Sequence, residues 1–74
     1  MKNQHLRKIA SNKILLPDGQ VLSQSVVEIV SGRVEKVYSL TSEQAQTEWW
    51  SGWIQLRYDA EGHLLAFYGG KQIE

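Results

Sequence analysis

Residues 12–40 read NKILLPDGQVLSQSVVEIVSGRVEKVYSL, three runs rich in Ile, Leu and Val cut twice by turns that contain glycine. In the first turn, Pro17-Asp18-Gly19-Gln20, proline pre-sets one turn dihedral and glycine supplies a positive φ. In the second, Ser31-Gly32 is a two-residue loop of the kind that joins antiparallel strands. The pattern predicts strands over 8–16, 21–30 and 33–40. With Ser31 and Gly32 as the loop, Ile29 pairs with Val34, Val27 with Lys36 and Val26 with Val37. That register sets Glu28 opposite Glu35, and like charges so placed cost stability. A bulge at Gly32 would move the two carboxylates apart.

The second half continues in the same style. Residues 53–59 alternate, with Ile54, Leu56 and Tyr58 on one side and Trp53, Gln55 and Arg57 on the other, as in a half-buried strand. Asp59-Ala60-Glu61-Gly62 reads as a type I turn followed by a glycine in the left-handed region, with the Asp side chain capping its own turn. A last strand over 63–68 is kinked by Gly69-Gly70. Residues 41–48, TSEQAQTE, are the one stretch of good helix formers; Thr41 or Ser42 can cap it, and it is short enough to be a single helical turn or an irregular connection. Residues 1–7 are expected to fray. The prediction is one all-β domain over 1–74, a small antiparallel β-sandwich or partly open barrel of about six strands built from consecutive hairpins. Gly19, Gly32 and Gly62 are its structural turns.

Composition limits the function classes. A 42% apolar content with three Trp and three Tyr excludes a disordered chain. The absence of Cys removes disulfides, thiolate chemistry and Cys-based zinc sites. A formal net charge of +0 lacks the basic footprint of a nucleic-acid binder. The charge is segregated, however: cations dominate before residue 40 and carboxylates after it. The two halves are expected to pair within one sheet system, the sharper alternative being charge-guided association between copies. No run approaches the ~18 apolar residues of a membrane span, and MKNQHLRKIA has no apolar core of an export signal behind it. A cytoplasmic chain is expected, with a signal removed from a longer precursor left open.

Chemistry-bearing residues are sparse. His5 and His63 are unpaired in sequence and are expected to be solvated, the serines have no G-x-S-x-G context, and Gly69-Gly70-Lys71 is not followed by a helix that could hold a phosphate. No catalytic residue, metal ligand or cofactor is therefore assigned. The unusual local signal is Trp49, Trp50 and Trp53. Neighbours on a strand point to opposite faces, so Trp49 and Trp50 enter one core only if a bulge intervenes, and Ser51-Gly52 is suited to one.

Residues 12–40, with Val27, Ile29, Gly32, Val34 and Val37, and residues 64–73, LLAFYGGKQI, together resemble the small composite β-domain that flanks the barrel of amidohydrolase-like metal-dependent hydrolases. In that family the domain is assembled from both chain ends, and a His-x-His pair opens the barrel. Here 41–53 stand where the barrel would be and no His-x-His occurs, so the resemblance implies the fold and withholds the catalysis. Residues 56–64, LRYDAEGHL, also resemble a single tyrosine-aspartate repeat, a unit that buries too little to stand alone.

The resulting expectation is a non-catalytic interaction or scaffold module that forms a homodimer or meets an unidentified protein partner. Trp49, Trp50, Trp53, Leu65 and Phe67 are its candidate interface residues. The alternative is a small-molecule or carbohydrate-binding module using the three tryptophans.

Overall fold

The computed structural model describes residues 6–41 and 47–74. They form strands β1 (Leu6–Leu15), β2 (Val21–Val30), β3 (Arg33–Ser39), β4 (Thr47–Trp49), β5 (Trp53–Tyr58), β6 (Leu64–Tyr68) and β7 (Lys71–Gln72), with no helix among them. All seven belong to one sheet of order β3-β2-β1-β5-β6-β7, and β4 joins β1 beside β5.

The all-β expectation holds, but the sheet is mixed: β4 and β5 both run parallel to β1. A pure chain of hairpins would have made every pairing antiparallel. The strand β1 also begins at Leu6, so Leu6 and Arg7 are ordered strand residues; the rest of the segment expected to fray lies outside the described residues. Likewise Thr47 and Glu48 belong to β4 and not to a helix or turn, while 42–46 lie outside the described residues.

The sheet curls until β3 packs against β6 without a hydrogen-bonded ladder between them, which leaves a partly open barrel. Gln72 Nε2 donates to Gly32 O at 3.2 Å across that opening. Inside lie Ile9, Ile14, Val27, Ile29, Ile54, Leu56, Ala66 and Ile73, with Leu22, Val34, Val37, Trp50 and Leu64 packed against them. Tyr58, expected to share the face of Ile54 and Leu56, sits at the strand end and is 63% exposed.

Two local devices shape the barrel. Ile9 and Ile14 both reach the core, as do Val27 and Leu22, although residues five apart on a regular strand face opposite ways. Facing therefore inverts between them, where Gln24 adopts φ 45 and its carbonyl accepts Leu40 N at 2.9 Å. The second device corrects the predicted register. Ser31 and Gly32 do form the loop, both at positive φ, and Ile29 does face Val34. Then Glu35 bulges out, so Glu28 faces Lys36, Val27 faces Val37 and Val26 faces Tyr38. The bulge lies at Glu35, not at Gly32, and it removes the Glu28–Glu35 apposition.

Candidate functional site

The face of the sheet turned away from the core follows from the register. Ile14 and Ile54 are paired and buried, so their neighbours Lys13, Leu15, Trp53 and Gln55 point outward. Leu56 and Ala66 are paired and buried, so Arg57, Leu65 and Phe67 point outward too. Adding the antiparallel β2, the outer rows run Ser23–Lys13–Trp53, then Val21–Leu15–Gln55–Phe67–Gln72, then Arg57–Leu65. The result is an apolar and aromatic band, in which Val21 and Trp53 are the most open of the large apolar members. Leu65 and Phe67 thus lie on the exterior side of β6, opposite the buried Ala66.

Two cations lie over the rings of this band. Lys13 Nζ is 5.4 Å from the centroid of Trp53, and the Arg57 guanidinium carbon is 4.1 Å from that of Phe67. Such contacts are attractive because the ring face is electron-rich. Neither cation has a carboxylate within ion-pair distance among the described residues, and no carboxylate occurs in the outer rows.

The three tryptophans separate. Trp49 faces Ala10 across the β1–β4 pairing while Trp53 faces Lys13 across β1–β5. Three residues, Trp50 to Gly52, therefore oppose Ser11 and Asn12. This is the bulge anticipated at Ser51-Gly52, with Gly52 at φ 105. It is held from both sides: Gly52 N donates to Asn12 Oδ1 at 3.1 Å, and Ser11 Oγ donates to Gly52 O at 2.6 Å. Trp50 turns inward against the core. Its indole N–H donates to Glu48 Oε1 at 3.1 Å and its ring meets the Tyr68 ring edge-on at 5.0 Å. Arg7 binds Glu48 through Nε and one terminal nitrogen, at 3.1 and 2.9 Å, and lies 5.5 Å from the Trp50 centroid. Hydrogen bonding to Glu48 raises the Arg7 pKa. Trp49 and Trp53, by contrast, are each 51% exposed.

Elsewhere on the exterior Tyr38 Oη donates to Glu28, which stands between Lys8 and Lys36. Desolvation, reinforced by that hydrogen bond and by the carboxylate's charge, pushes the Tyr38 pKa up to about 12.

His63 is not merely solvated. Its Nδ1 lies 3.3 Å from Asp59 Oδ2 and 3.6 Å from Glu61 Oε1, and ligand-capable atoms of the three residues fall within 4.8 Å of one another. The alternating Asp-x-Glu-x-His spacing across the turn was the sequence signal for this grouping. Asp59 is engaged as a turn cap: Oδ1 accepts the amides of His63 and Glu61, both at 2.8 Å. The His63 amide bond is the chief reason the Asp59 pKa is lowered. His5 lies outside the described residues.

The buried hydroxyls are likewise committed, since Ser25 Oγ donates to Ser23 O at 3.0 Å and Ser11 Oγ to Gly52 O. A shallow depression of about 480 Å3 between Leu6, Val30 and Arg33 alternates acids and bases around its rim, Glu28, Glu35 and Lys36 among them.

No family model, no curated protein and no solved structure matches the chain.

Proposed function

We propose that this chain is a non-catalytic interaction module that self-associates through the outer band of β1, β5 and β6. The supporting observation is the band itself: Val21, Leu15, Trp53, Leu65 and Phe67 line one continuous exterior strip in a domain too small to cover it from within. Aromatic side chains are enriched where interfaces bury most completely. A cytoplasmic location and a stand-alone relation to the composite domain of amidohydrolase-like enzymes belong to the same proposal.

Sedimentation across micromolar concentrations tests it. The wild-type chain is expected to exceed the monomer mass, and Phe67→Asp to lower it without unfolding the domain. A wild-type chain still monomeric on the order of 100 micromolar, a range in which even weak contacts form, contradicts the reading. The non-catalytic part fails if a dialysed sample retains stoichiometric metal that is lost in His63→Ala.

A second reading is favoured by one observation. Trp49 and Trp53 are equally exposed on the same face and, three residues of β1 apart, about 10 Å from each other along the strand. Two such rings are a platform for an extended stacked ligand such as a carbohydrate. Loss of ligand binding in Trp49→Ala with unchanged association would separate this role from the first.

A further inference from the structure

The outer band is cationic, and the chain carries its electrostatic complement at one end of the barrel. There the β1–β2 turn lies beside the end of β5, with Leu16, Pro17, Asp18, Tyr58 and Leu64 lining one depression. The neighbouring β5–β6 turn adds Asp59 and Glu61. Asp18 Oδ1 accepts Gln20 N at 3.0 Å and Asp59 caps its own turn, whereas the Glu61 side chain is 79% exposed. Among the described residues of these two turns, His63 is the one titratable base, within reach of Asp59 and Glu61. The pole is thus acidic, with an open tyrosine ring at its centre.

Apposition of two outer bands about a two-fold axis would bring Lys13 and Arg57 of one copy toward the same cations of the other, with no carboxylate in the band to relieve them. Like charges facing one another across a contact are unfavourable. We infer that the occupant of the outer band is the acidic pole of a second copy. Glu61 and Asp18 meet Arg57 and Lys13 of the next chain, and Tyr58 and Pro17 pack on its Trp53 and Phe67. The inference rests on the self-association proposed above and specifies its geometry. A contact between two different patches is heterologous, so it propagates into a ring or an open filament and does not stop at a symmetric pair.

Charge reversal reads this directly. One variant carries Lys13→Glu with Arg57→Glu, the other Asp18→Lys with Glu61→Lys; circular dichroism and urea midpoints verify that each is folded. Each variant alone is expected to associate at least about tenfold more weakly than wild type, because its band and pole now share one sign. An equimolar mixture, in which band and pole are again opposite in sign, is expected to regain the wild-type mass distribution. Raising the salt concentration weakens the wild-type contact. If the Asp18→Lys, Glu61→Lys variant assembles like wild type, the heterologous contact is wrong while self-association stands. If it is monomeric and the mixture does not recover, the inference is equally overturned. A wild-type chain that never associates removes both proposals.

Discussion

Trp50 and Trp53 stand on either side of the Ser51-Gly52 bulge, and the two sides of that bulge are built differently. Around Trp50 every polar neighbour has a partner: the indole N–H meets Glu48, Glu48 meets Arg7, and the Tyr68 hydroxyl, whose ring abuts Trp50, donates to Ser51 O at 2.5 Å. Around Trp53 the ring is half in solvent and its cationic neighbour Lys13 has no ion-pair partner among the described residues. A residue type does not decide whether a large ring packs into the core or stays open to solvent. One extra residue in the parallel pairing to β1 does, by turning one ring inward and its neighbours outward.

The contrast breaks most sharply on truncation. Removal of a well-packed aromatic side chain costs roughly 3–5 kcal/mol, and Trp50→Ala is expected near the lower end, because the ring is only partly buried. In a domain of this size that is a large share of the total. Chemical denaturation checks it, and an unchanged urea midpoint would place Trp50 outside the core. A smaller loss is expected from Gly52→Val. The space at Gly52 is ample, with a Cβ meeting the Tyr68 hydroxyl oxygen at 3.8 Å, so the cost is the strain of φ 105 on a β-branched residue, more than about 1 kcal/mol. If the variant melts with wild type, the bulge is not fixed by backbone conformation.

A further effect is a pH dependence. Tyr38 titrates at about 12 in the folded chain against about 10 when unfolded. Because the folded value is raised, the stabilisation is complete below pH 10 and disappears as pH rises through 12. Urea midpoints should fall across that window in wild type and less steeply in Tyr38→Phe. Parallel curves would mean that the Tyr38–Glu28 bond does not survive in solution.

What could be read from the residues divides by distance along the chain. Ser31-Gly32 and Asp59-Ala60-Glu61-Gly62 declare their hairpins because turn chemistry is local, and both turns carry the expected positive-φ glycine. The parallel pairing of β1 with β4 and β5 was not legible, since it joins residues about 40 positions apart with no local signature. Nor was the left-handed Gln24, an ordinary residue forced into that conformation so that both ends of β2 can face one core. The bulge at Glu35 escaped for a related reason: the turn fixes the first pair, Val30 with Arg33, and packing of Val27 and Val37 selects the register beyond it. Of the candidate interface, Trp53, Leu65 and Phe67 lie together on the outer band, Trp49 lies further along the same face, and Trp50 belongs to the core side.

The central proposal is that the ring at 53 serves association while the ring at 50 serves folding. Sedimentation equilibrium on Trp53→Ala, run beside wild type at matched concentrations, tests it most directly. The account predicts that the variant keeps a urea midpoint close to wild type and sediments as a monomer where wild type has assembled. A variant that assembles like wild type, or one that loses its fold together with its association, would contradict it.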